Sequence, residues 1–315
     1  MKKSFSRNSK ADSSRGNQAR GGQGRGNVSS RGGQPSNNRG AGNVSAPKAG
    51  GRFAAGSRHG RPEEVIPRTW RAVIGHHAIR EALNIRPHQA KVLWIKQGYE
   101  SSQDLREIYE LAEKEKIKIE LHPDARIDKF GSSHQGACLY VDGGPELDFE
   151  GLESFDNSAV IILDGIEDPH NLGAILRTSW LTGVHGVIIP EDRAVGLTPT
   201  VHKVACGGVE HVPLLETTNF AGQVQKLKDQ GYWVFGLSHK AKKTIFDLDL
   251  PAKVVWVIGA EDKGLRVNTE RLCDELVAIP QASAGASYNA SVATAVALTE
   301  TMRQHTHCGN RKKSQ

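Results

Sequence analysis

The chain has no apolar run approaching the roughly 18 residues of a membrane span, and its polar first residues lack the apolar core of a signal peptide. It is therefore read as a protein without membrane segments. Cysteine is scarce, and Cys138, Cys206, Cys273 and Cys308 include no CxxC pair. That argues against a disulfide framework or zinc site and for reduced thiols in the cytoplasm. The neighbours His76 and His77 cannot face the same way on a helix, so no metal is expected. Also absent are a GxGxxG after a first strand and a GxxxxGK[ST] loop, which removes the dinucleotide-binding and phosphate-loop classes.

A further shortage divides the chain. Up to Gly60 large apolar side chains are nearly missing, and Asp12 is the single acid against twelve Lys/Arg, a net charge of +11. Since the whole chain carries +6, residues 61–315 carry −5. The basic character belongs to the tail. Its Arg-Gly units (Arg15, Arg20, Arg25, Arg31 and Arg39 each precede Gly) cannot bury a core, so residues 1–66 are expected to be disordered and to hold RNA phosphates.

Two folded units are expected after it. In residues 70–143 the patterning predicts a helix from Gly75, a strand at Lys91–Lys96 and a helix from Gln103 to Lys116. A strand at 117–121, a short helix at 124–130 and a strand at 137–141 complete a small α/β/α module. Residues His134-Gln135-Gly136 read as a turn. An acidic stretch, 144–156, serves as linker, and residues 308–315 form a basic C-terminal tail.

Residues 157–307 alternate strands and helices, which implies an open parallel sheet with ligands beyond the carboxyl ends of its strands. Continuous apolar strands lie at 159–164 and 254–259, the kind buried on both faces of such a sheet. Three polar, glycine-containing loops lie at strand ends: 164–177, 259–264 and 279–289. They outline a small-ligand site lined by Asn171, Arg177, Glu261, Ser287 and Asn289. Ser287 reads as the N-cap of the last helix.

Those loops resemble known motifs. Asn171-Leu-Gly-Ala-Ile-Leu-Arg177 is similar to the first motif of the SpoU/TrmH RNA 2′-O-ribose methyltransferases, Gly259-Ala-Glu-Asp-Lys-Gly264 to their second, and Ile279 through Ala293 to their third. Gln281, Tyr288 and Ala290 depart from the usual Met, Leu and Val of the third. The resemblance implies a deep trefoil-knot (SPOUT) catalytic domain that pairs into a homodimer through this C-terminal region. Before it would lie a ribosomal-protein-like (L30e-like) RNA-binding domain, as in the 23S rRNA guanosine methyltransferases. It implies S-adenosyl-L-methionine as cofactor, held by Leu237, Gly259, Glu261, Ile279, Pro280, Tyr288 and Asn289. Asn171, Arg177, Glu261, Ser287 and Asn289 are the implied catalytic set, while His134 and Gln135 join the tail arginines as implied RNA contacts. The substrate implied is 23S rRNA. A tRNA ribose methyltransferase and a catalytically idle RNA-binding or ribosome-assembly factor are the alternatives.

Overall fold

The computed structural model describes residues 66–312 apart from 132, 193, 262 and 284. The tail arginines lie outside the described residues. The chain builds two sheets, one from each stretch expected to fold.

The first has four strands: β1 (Trp70–Ile74), β2 (Ala90–Lys96), β3 (Lys118–His122) and β4 (Ala137–Asp142). Their spatial order is β1-β4-β2-β3, with β2 and β3 parallel and the other pairs antiparallel. Helices α1 (His76–Ile85) and α2 (Gln103–Lys114) cover one face, since Ala78, Ile79, Leu83, Leu105, Ile108 and Ala112 recur at helical spacing and pack on Leu93, Ile95 and Leu139. The opposite face is aromatic: Trp94 and Tyr140 meet edge to face at 5.3 Å. Phe130, beyond the short helix α3 (Asp124–Ile127), closes over them. Strand β1 was not anticipated from sequence, and α2 ends two residues before the expected Lys116, which adopts a left-handed φ of 57°.

Residues 144–156 do more than link. Among their acids stand Leu152, which is buried, and Leu147 and Phe149, which are partly buried; all three pack on the second sheet, Phe149 and Leu152 in helix α4 (Phe149–Leu152). The Leu214 amide donates to the Pro145 carbonyl at 3.1 Å and Gln230 Nε2 to the Phe149 carbonyl at 2.7 Å. Apolar burial overrides the acidic composition.

The second sheet holds β5 (Ser158–Asp164), β6 (Gly186–Pro190), β7 (Leu214–Thr217), β8 (Trp233–Leu237), β9 (Lys253–Gly259) and β10 (Glu275–Val277). It is parallel throughout, in the order β10-β8-β9-β5-β6-β7. All seven residues of β5 are buried, as the unbroken apolar run predicts. Around the sheet lie α5 (Pro169–Leu181), α6 (Pro199–Ala205), α7 (Gly208–His211), α8 (Phe220–Asp229), α9 (Val267–Glu270) and α10 (Ala290–Lys312). Helix α5 begins two residues earlier than Asn171, because Asp168 accepts from the His170 amide at 2.9 Å as N-cap and Pro169 supplies the first helical φ. Trp256, fully buried in β9, donates its indole N–H to Thr301 Oγ1 of α10 at 2.9 Å, anchoring that helix on the sheet. Short elements α7 and β7 escaped the sequence reading.

Both sheets meet through a buried charge cluster. Glu210 of α7, 2% exposed, accepts from Arg71 of β1 at 3.1 Å and from Arg86 beyond α1 at 3.0 Å. Arg71 also lies 3.2 Å from Nε2 of His202, a residue of α6 that is 1% exposed. Burial, and next the Arg71 charge, hold the His202 imidazole well below its ordinary pKa, so it is neutral. Burial likewise lowers the Arg86 guanidinium, against the opposing pull of Glu210. Beside this cluster Glu81 of α1 bonds His211 of α7 at 2.8 Å, and His211 stacks on Trp180 at 4.1 Å.

Candidate active site

The strand order reverses beside β5 and β9, whose last residues Asp164 and Gly259 are register partners. Loops from β5, β8, β9 and β10 therefore open on one crevice, where ligands of such sheets sit.

Two clefts adjoin there. One, of about 580 Å³, is lined by Leu237, Ser238, Gly259, Glu261, Ile279, Ser287 and Tyr288 among others. The second, of about 370 Å³, is lined by Asp164, Glu167, Asp168, Asn171, Lys263 and Arg266, and shares the wall formed by Ala260, Glu261, Lys263 and Gly264. At the end of β9 the chain doubles back, with the Gly264 amide bonded to the Ala260 carbonyl at 2.8 Å. A methyl group on Gly259 would stand 2.2 Å from the Gly264 carbonyl carbon, so no side chain fits there. Asp164, 1% exposed, pins the following residue pair by accepting from the Arg266 amide at 2.8 Å and from its guanidinium.

Where the clefts meet, three polar side chains form a closed set. Asn171 Nδ2 donates to Glu261 Oε1 at 2.6 Å, Asn289 Nδ2 donates to Asn171 Oδ1 at 2.9 Å and also to Glu261 Oε1. The Ala290 amide adds a bond to Glu261 Oε1 at 3.3 Å. Each of the three loops contributes one member. Asn289 uses its other end as well: Oδ1 accepts from the Ser291 amide at 2.9 Å and caps α10. The cap is thus Asn289 rather than Ser287, which lines the larger cleft two residues earlier. A carboxamide can donate to the cluster while accepting from the helix, which a serine hydroxyl in that position does less completely.

The loop before α10 is closed on itself. Tyr288 Oη donates to the Pro280 carbonyl at 3.0 Å, and Gln281 Nε2 donates to the Ala286 carbonyl at 3.1 Å. Pro280 takes part through that carbonyl, whereas Leu237, Gly259, Ile279 and Tyr288 line the cleft itself. Two of the residues unusual for the third motif, Gln281 and Tyr288, make these bonds.

Arg177 stands apart. It is exposed on α5, and its Nη1 donates to Cys206 Sγ at 3.4 Å rather than to any member of the carboxamide set. His134 differs from expectation: it is 6% exposed, bonds Asp128 at 2.9 Å and accepts from the Gly136 amide at 2.9 Å, so it braces the turn instead of facing solvent. Gln135 beside it is exposed. The thiols of Cys138 and Cys273 are both raised by burial, the latter to about 12, which leaves them unreactive.

Comparisons with known proteins identify the family. The profile of the SpoU rRNA Methylase family matches residues 158–299, and that of RNA 2′-O ribose methyltransferase substrate binding matches residues 72–146. The 23S rRNA (guanosine-2′-O-)-methyltransferase RlmB of Pseudomonas aeruginosa is 39% identical over 243 residues, 75% of this chain and 98% of that protein. Its Escherichia coli counterpart is 37% identical over 238 residues, 74% of this chain and 98% of that protein. Among solved structures, the SpoU methyltransferase AviRb from Streptomyces viridochromogenes in complex with the cofactor AdoMet matches with a TM-score of 0.65 at 22% identity, over 76% of this chain and 91% of that one. It shares the fold. With relatives this similar spanned almost end to end, the chain belongs to the SpoU rRNA methylase family.

Proposed function

We propose that the protein methylates the 2′-oxygen of a ribose in RNA, using S-adenosylmethionine, with a guanosine of 23S rRNA as target. The observation that carries this is the carboxamide-carboxylate cluster, which ties together the three strand-end loops on the wall between two clefts. RlmB relatives are named for that activity. The reading puts the protein in the cytoplasm with its substrate.

The larger cleft suits the cofactor. Its volume lies in the range of small-molecule sites, and the space at Gly259 admits no side chain. Leu237, Gly259, Ile279 and Tyr288 are the contacts assigned. When bound, S-adenosylmethionine supplies an electrophilic methyl group. The chain supplies position and charge. Glu261 fixes the amides of Asn171 and Asn289, Asn171 orients the ribose, and Ser287 holds the loop edge. Arg177 clamps the target phosphate and stabilises negative charge growing on the ribose oxygen. A guanidinium stays protonated in proteins, so the departing proton goes to a phosphate oxygen or water.

The reading includes a trefoil knot in the path from β9 to α10 and a homodimer. Supporting the latter, α5 and α10 present an apolar groove of about 870 Å³ containing Ala174, Val292, Ala295, Val296 and Met302, with Phe246 60% exposed at its side.

Replacing Gly259 by alanine is expected to lower cofactor affinity at least about tenfold, roughly 1.4 kcal/mol, because the 260–264 turn must move. Isothermal titration measures it; unchanged affinity moves the cofactor elsewhere. Mapping 2′-O-methyl groups on ribosomal and transfer RNA with and without the protein tests the activity. Loss of one methylated guanosine in 23S rRNA is expected. Loss in tRNA instead selects the tRNA enzyme, and no loss at all selects an idle RNA-binding factor.

A further inference from the structure

The junction between the two sheets carries unpaired positive charge at one rim. Gly75, at the start of α1, has a φ of 92°, and a methyl group there would sit 3.2 Å from Lys203 Cγ and 3.6 Å from Gln135 Oε1. Gln135 accepts from the His76 amide at 3.1 Å, and Lys96 lies against the adjoining Gly136. On the other side of Lys203, its carbonyl accepts from Cys206 Sγ at 3.4 Å, and that sulfur accepts from Arg177 at 3.4 Å. Lys96, Gln135, Lys203 and Arg177 thus follow one another from the first sheet to α5.

Neither Lys96 nor Lys203 has a carboxylate partner among the described residues. The nearby acids are already engaged: Asp104 with His76 and Arg80, Glu81 with His211. On a body whose residues 61–315 carry −5, cations left unpaired in a row mark a surface that meets an anion of repeating charge. Phosphates of a single strand satisfy that requirement. The Arg71–Glu210–Arg86 cluster keeps the two halves of the row in register.

We propose that single-stranded RNA crosses the junction along Lys96, Gln135 and Lys203 and so delivers its target phosphate to Arg177. This rests on the methyltransferase reading and names Lys203, which that reading leaves without a role, as a phosphate contact.

The test uses the full chain and a short labelled single-stranded oligoribonucleotide, titrated across a salt series. Lys203→Glu is expected to weaken binding about tenfold or more, and Lys203→Ala to reduce the salt slope by about 1. Lys203→Arg restores binding. S-adenosylmethionine affinity, read on the same preparations, stays unchanged and reports that the C-terminal fold is intact. Lys114→Glu is the control of equal charge change. It lies ten residues along α2 from the Asp104 that touches His76, about 15 Å away on that helix. Equal losses for Lys203→Glu and Lys114→Glu would reduce the effect to net charge and overturn the path, as would no loss in Lys203→Glu. A wild-type protein that binds the RNA but transfers no methyl group to ribosomal RNA defeats the methyltransferase reading instead.

Discussion

Replacing Arg177 by alanine is expected to lower methyl transfer to RNA by about 10²- to 10³-fold, the range seen when one preorganised donor to a developing oxyanion is removed, and to leave S-adenosylmethionine affinity unchanged. The split follows from position. Arg177 is exposed, touches Cys206 Sγ, and contributes nothing to either cleft wall or to the Asn171–Glu261–Asn289 set. Its loss therefore subtracts charge from the reaction without loosening the cofactor cleft. Arg177→Lys keeps the charge but not the two-pronged geometry, so partial recovery is expected. The measurement is single-turnover transfer of labelled methyl beside a cofactor titration. Full activity in the alanine variant removes Arg177 from the reaction, and lost cofactor binding makes it a structural residue.

Replacing Glu210 by alanine is expected to destabilise the protein by about 3–5 kcal/mol, the usual cost of stripping one partner from a buried ionic cluster. Arg71 and Arg86 side chains, 13% and 12% exposed, would be left facing each other with no carboxylate between them. A surface ion pair would be worth less than about 1 kcal/mol. The two values separate the possibilities: urea unfolding midpoints that shift by the larger amount mean that the sheets stay docked in solution, and a shift below about 1 kcal/mol means that the cluster is solvated. Loss of cooperativity, with two transitions in place of one, would show the halves coming apart before they unfold.

The sheet was readable because β5 and β9 are unbroken apolar runs ended by glycine-bearing loops, a pattern that suits a parallel sheet covered on both faces. Asn171, Glu261 and Asn289 were readable as neighbours because they lie in the loops at those strand ends and match family motifs. Which of them bond to one another was not. The role of Asn289 as helix cap was hidden by Ser287, an equally good cap by type but two residues too early. Arg71 and Glu210 are 139 residues apart, and a short Gly-Val-Glu-His helix has no periodicity to announce that its glutamate is buried. Pairings fixed by the docking of two units leave no trace in local pattern. Residues 144–156 misled for the converse reason: their acids are conspicuous, and the three apolar side chains that do the packing are spaced too irregularly to read.

The pairing of β5 with β9, together with the cluster that waits for Asn289, has a consequence for synthesis. Asp164 and Gly259 are neighbours in space but 95 residues apart in sequence, so the central pair closes a long loop, a slow step in folding. The first sheet needs nothing beyond Asp142 for its own strands and forms as the chain emerges. Glu261 must wait for Asn289. A nascent chain therefore acquires its four-stranded unit well before its cofactor cleft, and any RNA that unit meets early is met by a protein that cannot yet modify it.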